Sequence, residues 1–208
     1  MKSPKIAVFT RCHYDGKISN INLFCFKNYF LETLKAQTYK EFDIVIISND
    51  NIANEKLLMD VIKESGIQNK IIFTKKNNRL RYEHDIEVNL DSDDGFDKDV
   101  IQRCVDAYYN HPKETFLIVF DKYIKVEIFT KRRYSCPQPT KKNKGFPTNF
   151  YAVVQKGEKK TGCGATSHNR MDEVIPEVIT ISDVTNIFTI HVNNTSSKLN
   201  STDKLINE

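Results

Sequence analysis

Long apolar runs are missing from this chain of 208 residues. Its longest unbroken aliphatic stretch is Ile44-Val45-Ile46-Ile47, far short of the roughly 20 apolar residues a membrane-spanning helix needs. No charged-then-apolar leader opens the chain, because Lys2, Lys5 and Arg11 interrupt the only candidate. The expectation is a cytoplasmic protein, neither secreted nor inserted in a membrane. Cysteine pairs at C-x-x-C spacing are also missing. Cys12, Cys25, Cys104, Cys136 and Cys163 are odd in number and scattered, which reads as reduced thiols and argues against a structural zinc site. No helix-turn-helix, zinc-finger or RNP pattern is present, so no nucleic-acid partner is expected. Gly162-Cys163-Gly164 lacks the third glycine and the preceding strand of a dinucleotide fingerprint. No internal repeat is visible.

What is present is a globular composition, with 39% hydrophobic, 28% charged and 11% aromatic residues. The net charge of +4 is less informative than its placement. Lys131, Arg132, Arg133, Lys141, Lys142 and Lys144 fall between Lys131 and Thr148 with no acid among them. The other 25 of the 31 basic residues face 27 acidic ones, so the body is mildly acidic and one loop carries the excess. Such a loop is a solvated connection or a surface for phosphate, anionic lipid or acidic glycan.

The first two thirds alternate strand and helix. Strands are expected at 5–10, 42–48, 70–74 and 86–90, where short apolar runs occur. Helices are expected at 22–38, with Leu23, Phe26, Phe30, Leu31 and Leu34 at helical spacing, at 54–64 with Gly66 as a stop, and at 98–109. Strands separated by single helices imply a mostly parallel sheet covered by helices. Ligands then gather beyond the carboxyl ends of the strands. After residue 110 the pattern changes: 115–120 and 122–130 look like a hairpin or antiparallel edge, 149–154 and 184–192 like further strands, and the tail from Asn193 reads as polar and loose.

The fourth strand runs straight into Asp91-Ser-Asp-Asp-Gly-Phe-Asp97. Three carboxylates within four positions repel one another unless a cation or a helix N-terminus offsets them. On a turn leaving a strand, Asp91 and Asp93 can converge on one hard cation and leave positions for phosphate oxygens, which suits Mg2+ or Mn2+. The plainer account is that these acids charge the start of the next helix. A calcium loop fails on register: counted from Asp91, position 6 is Phe96 and position 12 is Gln102, where glycine and glutamate are required.

With that motif in hand, the strand-helix-strand opening, the segment from Leu31 to Ile47 and Asn89-Leu-Asp-Ser-Asp-Asp94 together resemble the GT-A glycosyltransferases, and among them the rhamnosyltransferase group. Phe188-Thr-Ile-His-Val-Asn-Asn-Thr-Ser196 resembles that group's closing strand. The resemblance implies an α/β, Rossmann-like sheet, mostly parallel, with a smaller antiparallel C-terminal portion. It divides the chain into a nucleotide-sugar half at 1–110, an acceptor half at 111–192 and a tail at 193–208. It also implies a divalent cation held by Asp93, Asp91 and His191, with Asp91 sharing the metal or holding the donor ribose. Thr10, Arg11, Asn49 and Asp50 would hold the base. Asn89 stands where the group often has arginine. From residue type and position in the acceptor half, Asp172 and Glu173, with His168 beside them, are candidates for the base of an inverting transfer.

The expected activity is metal-dependent transfer of a sugar from a nucleotide-sugar donor to a glycan, lipid-linked or protein acceptor. Peripheral membrane contact through the basic loop and a homo-oligomer belong to that reading. Two rivals stay open: a metal-dependent nucleotidyltransferase, and a non-catalytic nucleotide- or glycan-binding relative of the same fold. A haloacid-type phosphatase is disfavoured, because its D-x-D lies on the first strand, and here that strand ends Val8-Phe-Thr-Arg11.

Overall fold

The computed structural model describes residues 3–12, 16–48, 51–75, 83–136, 150–158, 161–163, 170–191, 199 and 202–206. Asn49, Asp50, Arg79, Arg81, His168 and the lysines at 141, 142 and 144 lie outside the described residues. Strand β1 (Ile6–Cys12) opens the chain. Ser19 caps the next helix by accepting a hydrogen bond from the Asn22 amide, as expected of a serine at that position. That helix runs through α1 (Asn20–Cys25), a π-helical turn at Phe26–Leu31 and α2 (Glu32–Lys35). Then follow β2 (Asp43–Ser48), α3 (Ile52–Ser65), β3 (Ile71–Lys75), β4 (Ile86–Asn89) and α4 (Val100–Asn110). Asn51 caps α3 through the Asn54 amide, and Gly66 ends it at φ 73°, the left-handed conformation in which glycine carries no Cβ penalty.

The second half adds β5 (Thr115–Phe120), β6 (Tyr123–Glu127), β7 (Arg133–Ser135) and β8 (Tyr151–Gln155). It closes with α5 (Met171–Val174), β9 (Val178–Ile181), β10 (Asn186–Ile190) and β11 (Lys204–Leu205). Seven strands form one sheet in the order β3-β2-β1-β4-β8-β5-β9. Within it only β8 runs antiparallel to its neighbours. Both faces are buried, which is why its strands read as near-continuous apolar runs. One face packs Ile6, Val8, Ile44 and Val88 under Phe26 and Phe30 of the first helix. The other packs Ala7, Phe9, Val45 and Val153 against Met171 of α5. Among the described residues no helix is long and apolar enough to cross a membrane.

A second sheet, β10-β6-β7-β11, corrects three expectations. Residues 115–127 form no hairpin, because β5 stays in the large sheet while β6 joins the small one. The link is Asp121-Lys122, which lacks the glycine or asparagine that a tight two-residue reversal favours. The small sheet is not wholly antiparallel either, since β10 runs parallel to β6. Finally, residues 202–206 are tied down rather than loose, though all but Asp203 stay exposed: β11 pairs antiparallel with β7, and Asp203 meets Lys125 at 2.8 Å with both side chains buried. A buried ammonium requires such a partner, and the tail supplies it.

Candidate metal and nucleotide site

The site begins where β1 and β4 end side by side, with Phe9 paired to Asn89 and the Leu90 amide donating to the Phe9 carbonyl. The chain then turns within Asp91–Asp94, closed by the Asp94 amide on the Asp91 carbonyl at 3.2 Å. Immediately after, Gly95 exchanges two backbone hydrogen bonds with Ile187 of β10, at 3.0 and 2.9 Å. Glycine is required there by close approach, because a Cβ would lie 2.9 Å from Cγ2 of Thr33. The Thr33 hydroxyl in turn accepts from the Phe96 amide.

This bridge fastens the acidic turn to β10, and side chains complete it. The Thr189 amide donates to Asp94 Oδ1 at 2.9 Å, and the Thr189 hydroxyl donates to the Asp93 carbonyl at 2.8 Å. The next residues carry His191 to the turn, where its Nε2 stands 3.0 Å from Asp93 Oδ2. The imidazole is 1% exposed and the carboxylate 25%. Further along, Asp97 accepts from the amides of Asp99 and Thr185 and donates its own amide to Asn186 Oδ1. The helix-start account of the acids therefore fits Asp97 and Asp99, which stand at the start of α4, and not the three carboxylates that precede them on the turn.

Burial, then the charge of Asp93, pushes the Asp91 carboxyl up to about 6, against a smaller downward pull from Arg11. Asp94 is raised well above the usual carboxylate range by burial and by the charges of Asp93 and Asp91. Cys25 lies against the same turn, and burial and then Asp93 push its thiol up to about 12. That thiol is therefore protonated and inert at neutral pH.

Among the described residues no three His, Cys, Asp or Glu side chains converge at metal-ligand geometry. The donor types nevertheless fit a hard or borderline divalent cation: carboxylate oxygens with one imidazole. Burial first, and then the mutual repulsion of the acids, raises Asp91 and Asp94, and a cation would relieve that repulsion.

Of the other nominated residues, Arg11 is exposed at the end of β1 and acts on Asp91. Thr10 is 1% exposed, and its hydroxyl is sealed in the core without a hydrogen-bond partner. Residues 16–18, which follow β1, are docked on the start of α3: Asn54 accepts from the Ile18 amide and donates to the Gly16 carbonyl. Asp172 and Glu173 sit in α5, and neither shares a hydrogen bond or ion pair with the acidic turn among the described residues. Glu173 is held by Arg170 at 2.9 Å. Sequence reasoning missed Thr189, Gly95 and Thr33, whose contribution is backbone fastening and close packing rather than chemistry visible in residue type.

A mostly parallel sheet with an acidic turn at its carboxyl edge, closed by a second small sheet, is the GT-A glycosyltransferase fold. The chain superposes on the mannosyltransferase PcManGT from Pyrobaculum calidifontis, solved with GDP-Man and Mn2+, with a TM-score of 0.58 at 10% identity, over 92% of this chain and 59% of that one. It superposes on TarS 1-349 from S. aureus with a TM-score of 0.54 at 12% identity, over 89% and 60% of the two chains; TarS 1-349 has also been solved with UDP. The chain thus spans about 60% of the length of these structures. Residues 5–203 match the family described as "Putative rhamnosyl transferase", and the chain belongs to that family. Among curated proteins no sequence matches it.

Proposed function

We propose that the chain moves a sugar from a nucleotide-sugar donor to a glycan, lipid-linked or protein acceptor, with Mn2+ or Mg2+ held at the acidic turn. The observation that carries this reading is the pairing of Asp93 with His191 at the carboxyl edge of the sheet, across two elements far apart in sequence. Membership of the rhamnosyl transferase family supports it, as do GDP-Man with Mn2+ in one structural neighbour and UDP in another.

A bound cation offsets the charge that develops on the departing diphosphate. Asp93 and His191 would hold it, with Asp91 sharing it or taking the donor ribose. Arg11 adds a fixed positive charge that acts on Asp91 and would suit a diphosphate. Asn49 and Asp50, which follow β2 in the sequence, would hold the base, whereas the burial of Thr10 leaves its side chain no surface for that role. For an inverting transfer, Asp172 is the better base candidate: it makes no hydrogen bond or ion pair among the described residues, while Glu173 is occupied by Arg170.

Turnover of a panel of nucleotide sugars with Mn2+ tests the proposal. One donor should yield nucleoside diphosphate, and Asp93→Asn should slow that release by about 100-fold or more. Release of pyrophosphate would instead mean nucleotidyl transfer, and absence of turnover with every donor and acceptor class would favour a binding protein.

A further inference from the structure

The turn between β6 and β7 exposes Phe129, Thr130, Lys131 and Arg132, and Arg133, the first residue of β7, is exposed beside them. Phe129 is 72% exposed, and Phe24, on α1, is 41% exposed. Lys131 ties this segment to α1: its ammonium stands 5.4 Å from the centre of the Phe24 ring. It does so at φ 61°, a backbone conformation that disfavours a side chain, held by its amide donating to the Glu127 carbonyl at 2.8 Å. Among the described residues Lys131, Arg132 and Arg133 make no ion pair. The acid at the base of the turn, Glu127, is engaged instead by the hydroxyls of Thr130 and Tyr134. An exposed phenyl ring and three cations without an ion pair among the described residues therefore lie in one five-residue segment, and Lys131 ties that segment to the half-exposed Phe24 ring.

We propose that this surface seats the protein on an anionic lipid bilayer. Cations at the headgroup level are attracted by acidic lipids, and aromatic rings gain by leaving water for the boundary of headgroup and acyl chain. An acidic polymer in solution would use the cations but would gain nothing from a phenyl ring as exposed as that of Phe129. The position suits such a role. The Ile128 amide donates to the Ile190 carbonyl at 3.3 Å, one residue before His191, so the seated surface borders the edge that carries the acidic turn. The inference stands apart from sugar transfer, because bilayer binding is read without donor or acceptor.

Co-sedimentation of the full chain with vesicles of phosphatidylcholine, with and without phosphatidylglycerol, tests it. The protein should bind the mixed vesicles and leave the neutral ones. Phe129→Ser should lower the partition coefficient about fivefold or more, and Arg132→Gln with Arg133→Gln about 20-fold. Unfolding midpoints should match the parent, which separates lost binding from lost folding. Absence of binding to the mixed vesicles would overturn the proposal, and so would equal binding to neutral ones. A Phe129→Ser protein that binds like the parent would also overturn it, since attraction to any polyanion, heparin included, would then suffice.

Discussion

The two sheets of this molecule are built on different principles. In the large one, strands of up to seven residues are apolar on both faces and are sandwiched by helices and loops, so non-directional burial holds them. In the small one, strands run from two to five residues, and the interior includes an ion pair, Lys125 with Asp203. The seam between the sheets is polar as well: Thr189 to Asp94, Thr189 to Asp93, and Asp97 to Asn186, all spanning about ninety residues of chain. Hydrogen bonds have direction, and apolar packing has little. The large sheet is the platform, and the seam sets where His191 stands relative to Asp93.

The largest effect should come from the small sheet's ion pair. Asp203→Ala removes the carboxylate that meets the buried ammonium of Lys125 and should cost about 3–5 kcal/mol in denaturant unfolding. Lys125→Met combined with Asp203→Leu should recover most of that loss. A cost below about 1 kcal/mol for the single change would mean that the small sheet does not depend on its charges. Next in size is Gly95→Ala, which pushes a methyl group against Thr33 and should cost about 1–3 kcal/mol. Thr33→Ser removes that methyl contact while keeping the hydroxyl for the Phe96 amide, so the double variant should regain stability. Smaller still, Thr189→Val deletes the hydrogen bond to the Asp93 carbonyl and should cost about 1 kcal/mol. It should also weaken Mn2+ binding, which calorimetry can measure; an unchanged affinity would show that the seam does not tune the site.

The contrast also explains what could be read from the sequence. β1, β2, α3 with its Gly66 stop, and α4 announce themselves because period and burial coincide in them. Asp91 and Asp93 stand out because closely spaced acids after a strand are conspicuous. His191 is nominated through resemblance alone, since nothing local distinguishes it from a hydrogen-bonded strand histidine. The small sheet was illegible for a physical reason. β7 and β11 are too short for periodicity, and the partner that makes Lys125 an interior residue lies 78 positions away. β5 and β6 look like a hairpin because a change of sheet leaves no mark on the pattern of either strand.

The finest test of the site is its response to pH. Below about pH 4 Asp91 is protonated whether the chain is folded or not. Between the ordinary value of 3.8 and the folded value of about 6, the folded state holds its proton longer, so stability falls as pH rises through that window. Mn2+ requires the ionised carboxyl. The rise in unfolding midpoint on adding Mn2+ should therefore be larger at pH 7 than at pH 5, and a rise independent of pH would remove Asp91 from the site.

The most direct measurement is thermal unfolding of the parent and of Asp93→Asn against a panel of nucleoside diphosphates, with and without Mn2+. The account predicts one diphosphate that stabilises the parent only when Mn2+ is present, by about 2.7 kcal/mol at 100 times its dissociation constant, and no response in Asp93→Asn. A parent indifferent to every nucleotide, or a variant that responds as the parent does, would contradict it.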